Sequence, residues 1–343
     1  MAFRRIVLLV LLLALARPQP STAQASAAKL IEYVVQSICV DDAGRVIAAL
    51  PIDPQCVQSR LQHSDDVAIY RKHDWPNTLG DSRIAHGYQA SDSVIETRSS
   101  GLIVVQTFDF GTDGRTFGHF DRGRGDGGQV LLFIGEWASF AMTEDGSGGV
   151  QWFIGETCRS SVDVNARFLS WLAFPGWVNE TRGQAVVAKL NITSDPKTCP
   201  RQFNDAFTRY WLDRVDFPFR IIEGTSVVHS PRRKLEVIVS EHYGGTDILT
   251  ADHLERFFFA KNLGLVRWER WANSNLTQPA GVREAQRMLG QTTRCPQLDQ
   301  YGPPNPKWLL VDCRTWTALV KQETPWTVRQ FDWPALAGFG EVN

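Results

Sequence analysis

Glu241, Arg267, Glu269 and Trp271 come nearest, by type and spacing, to a set that could do chemistry. Arg267, Glu269 and Trp271 are spaced two apart, so in a strand they project to one side. An aromatic ring there offers a platform to the CH face of a sugar, and planar charged groups beside it hydrogen-bond hydroxyls. Glu241 and Glu269 add two carboxyls, the pair that glycosidic hydrolysis needs if they face each other across roughly 5–10 Å. Three readings follow. A glycan or another small polar ligand binds on Arg267, Glu269 and Trp271. A polysaccharide-active enzyme uses Glu241 and Glu269 as acid and base, with Arg267 holding substrate. Or the charges form a cross-strand Arg–Glu ladder that serves the sheet alone. Burial of Arg267 and Glu269 as a closed ion pair would remove the first two readings together.

Other chemistry has weaker support. The stretch 111–128 is glycine-rich and, with Asp109, carries Asp113, His119, Asp121 and Asp126. Its spacing fits neither an EF-hand nor a phosphate-binding glycine loop, so it reads as a solvated loop or a lid. The island Lys72-His73-Asp74-Trp75 reads as a polar or packed loop. There is no Gly-x-Ser-x-Gly elbow and no His-Glu-x-x-His pair. No metal and no cofactor is expected. Asn179, Asn191 and Asn275 each begin an Asn-x-Thr pattern, which would matter in a glycosylating host.

The N-terminus carries an address. Arg4 and Arg5 precede the apolar run 6–16, which is short for a bilayer span, and Ala23-Gln24-Ala25 is a cleavage signal. Residues 1–25 are therefore expected to be a signal peptide, and the mature protein to be periplasmic or secreted, with no membrane span. Loss of Arg4, Arg5 and Arg17 with that leader, which holds no acid, takes the formal charge from −1 to −4. That balance does not suit a nucleic-acid partner. Cys39, Cys56, Cys158, Cys199, Cys295 and Cys313 remain for an oxidising compartment. Six cysteines allow fifteen connectivities. Their spacing suggests three local staples: Cys39–Cys56, Cys158–Cys199 and Cys295–Cys313. None forms a Cys-x-x-Cys pair, which argues against zinc or thiol-redox chemistry.

The element that must position the charged set is a hairpin. Residues 254–260 and 265–271 are its arms, and Lys261-Asn262-Leu263-Gly264 is a turn rich in residues that tolerate positive φ. Alternation places Leu265, Arg267, Glu269 and Trp271 on one face and Val266, Trp268 and Arg270 on the other. Further strands are expected at 29–40, where the run could instead start a helix, and at 46–50, 102–110, 129–134, 138–143, 149–154, 168–174, 184–192, 217–223, 226–229, 235–243 and 308–311. Helical spacing of Phe203, Phe207, Tyr210, Trp211 and Val215 predicts a helix over 203–215, and a second is expected over 282–289. With 12 Trp, 19 Phe, 27 Gly and 17 Pro, the chain is expected to be mainly β. The expected fold is an antiparallel sandwich or jelly-roll-like sheet with two short helices. Its segments would be the leader 1–25, a disulfide-stapled N-terminal segment 26–100 packed on the main domain, and a β-rich domain 101–343.

The run from Glu255 to Glu269, ERFFFAKNLGLVRWE, resembles a Phe/Tyr-x-Ala-x-x-x-Gly-Leu-Val hairpin found in exported bacterial β-rich proteins of unassigned function. Residues 70–76 and the run Ser240-Glu-His-Tyr-Gly-Gly245 add to that resemblance. It covers about a tenth of the chain and implies an exported β-protein, with no catalytic residue to carry over. The expectation is thus an exported envelope protein that binds a glycan or polar ligand without catalysis. A secreted polysaccharide-active enzyme and a structural envelope protein are the alternatives.

Overall fold

The computed structural model describes residues 27–47, 49, 51–61, 67–68, 71–74, 88–97, 103–110, 128–134, 137–143, 152–153, 171–187, 206–223, 226–244, 248–276, 278–289, 297–321 and 326–327. A 3-10 turn, Ala27–Tyr33, leads to β1 (Ser37–Val40), β2 (Gln58–Leu61), β3 (Val67–Ala68) and β4 (Arg71–Asp74). Then come β5 (Tyr88–Thr97), β6 (Ile103–Phe110), β7 (Gly128–Ile134), β8 (Trp137–Thr143), β9 (Trp152–Phe153), β10 (Trp171–Pro175) and β11 (Gly183–Val187). The C-terminal half holds β12 (Ala206–Glu223), β13 (Ser226–Tyr243), β14 (His253–Ala260), β15 (Gly264–Asn273), α1 (Pro279–Leu289), β16 (Trp308–Lys321) and β17 (Trp326–Thr327).

The fold is mainly β. One sheet runs β10-β8-β7-β6-β5-β4-β16-β15-β14-β13-β12-β11, with β9 beside β8. Its pairings are antiparallel save one: residues 220–223 of β12 run parallel to 318–321 of β16. That contact closes a circuit of pairings through β12, β13, β14, β15 and β16. The tip of the long β12–β13 hairpin makes it possible. Register shifts between Phe217 and Phe219, opposite Ser230 and Arg233, bracket Pro218 and Pro231. Proline cannot donate to a ladder, so a bulge is where a strand tolerates it and where the strand can bend.

Several expectations change. Residues 203–215 are no helix: β12 begins at Ala206. Phe207, Trp211, Val215 and Phe217 are buried on one face of the strand, while Tyr210 is buried on the other. A strand covered on both faces loses its period-two alternation, and its apolar positions then imitate a helical stripe. α1 is therefore the one α-helix among the described residues. Lys72, His73 and Asp74 of the island are no loop but part of β4, an inner strand between β16 and β5, so segment 26–100 contributes strands to the main sheet, while Trp75 lies outside the described residues. Val46 makes an isolated bridge to Val40 in place of a strand.

The hairpin stands where expected, with Asn262 at φ 65° and Gly264 at φ 74°. Its faces differ from simple alternation. Phe258 pairs Arg267 and Phe259 pairs Leu265, which leaves Val266 as an extra residue. Leu265 consequently packs with Trp268 in the cluster containing Tyr33, Phe174, Phe257 and Phe259. Val266 joins the other face, with Trp211, Phe217, Phe258, Leu298 and Tyr301. The N-terminal segment clasps the turn: Asn262 N–H donates to Glu32 O at 2.7 Å and Ser37 N–H to Asn262 O at 2.9 Å.

Cys39 and Cys56 form a disulfide, which fits an extracytoplasmic compartment. Cys313 is also disulfide-bonded. Cys158, Cys199 and Cys295 lie outside the described residues, as do the leader, Asp113, His119, Asp121, Asp126 and Asn191. No helix among the described residues is long and apolar enough to cross a membrane.

Gly264 occupies the left-handed region, which a Cβ disfavours. Gly264→Ala is expected to lower unfolding stability by about 1 kcal/mol or more. Urea titration against the wild type and an exposed control, Leu249→Ala, measures it.

Candidate functional site

Strand alternation gathers one charged residue from each of four neighbouring strands into a single row. Arg209 of β12 stands opposite Glu241 of β13, Glu241 opposite Arg256 of β14, and Arg256 opposite Glu269 of β15. Arg267, two residues before Glu269, extends the row. Glu241, Glu269, Arg267 and Trp271 are thus brought together. Arg209 and Arg256 join them, and the sequence reading did not single them out.

The row is a closed network. Glu241 Oε1 accepts from Arg256 Nε and lies 2.9 Å from Arg256 Nη2. Glu241 Oε2 accepts from Arg209 Nε at 3.0 Å, from Arg209 Nη2 at 2.5 Å and from the Tyr243 hydroxyl at 2.8 Å. Glu269 Oε1 accepts from Arg267 Nε at 2.6 Å, and its Oε2 from Arg256 Nη1 at 3.0 Å and Trp271 Nε1 at 2.9 Å. Arg256 Nη1 donates again to Gly302 O at 3.1 Å. The Arg256 guanidinium also lies 5.5 Å from the Trp271 ring centre and 5.6 Å from that of Tyr301.

Burial decides what this row can do. Glu269 is 0 % exposed, Glu241 1 %, Arg267 2 %, Arg256 3 % and Trp271 6 %. Trp211 and Tyr301 close the row from above: their rings stack, and the Tyr301 hydroxyl takes Trp211 Nε1–H and donates to Asp213. Burial alone would raise the Glu241 carboxyl. The guanidiniums of Arg256 and Arg209, with the Tyr243 hydroxyl, outweigh it and hold that carboxyl below its usual range. Burial would likewise lower Arg256, but Glu241 and Glu269 overcome it and raise it. A catalytic acid must hold a proton near its working pH, and Glu241 is held as the anion. The gap between the carboxylates, where a glycosidic bond would sit, is filled by Arg256. Trp271 is buried in the apolar cluster that holds Tyr243, Leu254 and Trp308, with the Arg256 guanidinium against its ring, rather than open. Arg267 and Glu269 are thus buried as an ion pair, with Arg256 shared between the two carboxylates.

A second polar group lies on the opposite face. Ser240 Oγ is 3.0 Å from His242 Nε2, which invites comparison with a nucleophile and its base. The geometry is wrong for that. Ser240 donates its proton to Ala173 O at 2.6 Å, so His242 must donate Nε2–H to Ser240. Both residues are 0 % exposed, and burial lowers the imidazole to about 3, Glu241 opposing. No group of three or more His, Cys, Asp or Glu among the described residues is arranged to hold a metal. Asp109 lies in β6; the backbone of His73 and Asp74 lies in β4.

No protein-family model matches the chain, and no curated protein or solved structure is significantly similar to it.

Two measurements follow. Glu269→Gln removes the carboxylate that Arg256 and Arg267 share, leaving Arg256 with Glu241, and is expected to cost about 3–5 kcal/mol. Adding Arg267→Met takes out one buried cation and returns the row to its wild-type single excess charge, so the double variant should lose clearly less than the sum of the single losses, and a double-mutant cycle in urea reads the coupling. His242 gives the pH dependence. The native imidazole stays neutral to about pH 3, whereas the unfolded chain protonates near 6.5. The unfolded state then binds more protons, so its contribution is intact above 6.5 and is lost as pH falls toward 3. The loss approaches about 1.4 kcal/mol per pH unit. His242→Leu should flatten stability between pH 6.5 and 5, measured by chemical denaturation.

Proposed function

We propose that the protein is an extracytoplasmic, non-catalytic structural or interaction protein of the envelope or the secreted fraction. Its Arg209–Glu241–Arg256–Glu269–Arg267 row serves the sheet rather than a ligand. One observation carries this reading: both carboxylates that would do chemistry are fully engaged by guanidiniums, an indole and a hydroxyl inside the fold. The Cys39–Cys56 disulfide supports the compartment. A buried, satisfied ion row is weak evidence for high stability, because desolvation offsets most of the attraction. It is better suited to specifying one pairing of strands. A partner or polar ligand would then meet the outer surface and not the hairpin face.

Mature protein screened on glycan arrays and incubated with polysaccharides tests this. Arg267→Lys and Trp271→Phe variants that still fold should bind any array hit as the wild type does, and no polysaccharide should be cleaved. Cleavage that Glu241→Gln or Glu269→Gln abolishes while the circular dichroism stays native would overturn the proposal.

A further inference from the structure

Asn179-Glu180-Thr181 lies in the turn between β10 and β11 and has the acceptor pattern for N-linked sugar, with no proline between. All three residues are exposed, and none is paired in a strand, so a bulky group there interrupts no ladder. The turn is held in place. Leu212 N–H donates to Asn179 O at 2.7 Å, which pins it to β12. Asn179 Oδ1 accepts Thr181 N–H at 2.7 Å, an Asx turn, while Asn179 Nδ2 reaches Trp177 O at 3.4 Å. Both amide contacts are local to the turn and exposed, the one from Nδ2 being long.

Trp177, two residues before the asparagine, is half-buried on the same turn. Its side chain meets that of Tyr210 on β12. An indole held beside an exposed amide is a platform for the CH face of the first sugar. Neither other Asn-x-Thr pattern has this: Lys189 and Asn273 stand two residues before Asn191 and Asn275.

We propose that Asn179 is an N-glycosylation acceptor and that Trp177 stacks on the first N-acetylhexosamine. The donor class is an oligosaccharide linked through pyrophosphate to a lipid, used by a host transferase. The Asn179 amide nitrogen forms a bond to the anomeric carbon, the bond from that carbon to the phosphate oxygen breaks, and the lipid pyrophosphate leaves. The amide proton passes to a carboxylate of the transferase. This inference needs passage through a glycosylating export route and is independent of the role assigned to the charged row.

The full chain, with its leader, is secreted from a eukaryotic cell and mapped by peptide mass spectrometry before and after peptide-N-glycosidase. The expected result is a glycan on the peptide containing Asn179, with aspartate left at that position after the enzyme. Thr181→Ala should remove that glycan and Thr181→Ser should keep it, both with native circular dichroism. Enzymatic removal should lower the melting midpoint of the wild type, with no such drop in Asn179→Gln. An unmodified Asn179 in the secreted protein overturns the acceptor assignment. A glycan whose removal leaves the midpoint unchanged overturns the Trp177 contact.

Discussion

Arg256 is the interaction on which the rest of this sheet depends. Its guanidinium reaches Glu241 on one neighbouring strand, Glu269 on the other, and Gly302 O on the segment that covers them. Three guanidiniums and two carboxylates meet in this row, so it carries one positive charge in excess. Taking such groups out of water costs several kcal/mol each, and the attraction repays it only if every partner is in place. That condition constrains the strands. A slip of β14 by two residues would bring Leu254 or Phe258 opposite Glu241 and leave the charges buried without partners. A slip by one would turn Arg256 to the other face. The row therefore penalises every wrong register, where the aromatic packing around it would tolerate several.

The surroundings follow from the same constraint. Tyr301 lies over Arg256 because it can give its hydroxyl to Asp213 and take the indole proton of Trp211, while its ring faces the cation. Burial and the neighbouring Asp213 raise the Tyr301 phenol, so it stays a donor. Below the row Phe207, Tyr243, Leu254, Trp271, Trp308 and Leu310 form one apolar cluster, and above it Trp211, Val239 and Phe258 belong to another. A site that must admit water and sugar is incompatible with that packing. The bent β12–β13 hairpin then joins β16 and completes the circuit of strands around these clusters.

Much of the fold was legible in the residues. Asn262 and Gly264 announce the turn because both tolerate positive φ, and the strands at 103–110, 128–134 and 137–143 follow from short apolar runs between polar breaks. Asp41 marks a turn, and its carboxylate accepts from Ala43 and Arg45 N–H. β12 was misread because both its faces are covered, so spacing alone could not separate it from a helix. The same error hid Arg209, which becomes the partner of Glu241 only once β12 is a strand. Arg256 was passed over because a single charge in an apolar strand resembles an exposed position; its partners lie 13 and 15 residues away along the chain. The signal that was present is that Arg209, Glu241 and Arg256 each interrupt an apolar strand face, with alternating sign, and that Glu269 continues the alternation on the next strand. The extra residue at Val266 was invisible to alternation, which counts positions and knows nothing of the partner strand.

Hydrogen exchange of the arginine side chains tests the closed row most directly. In a 15N-labelled sample, the Nε–H of Arg256 and Arg267 and the indole N–H of Trp271 should exchange as slowly as the backbone amides of β14, because only opening of the sheet exposes them. Exchange at the rate of a surface arginine such as Arg214, with the β14 amides still protected, would mean that water reaches the row in the folded protein and would contradict its structural role.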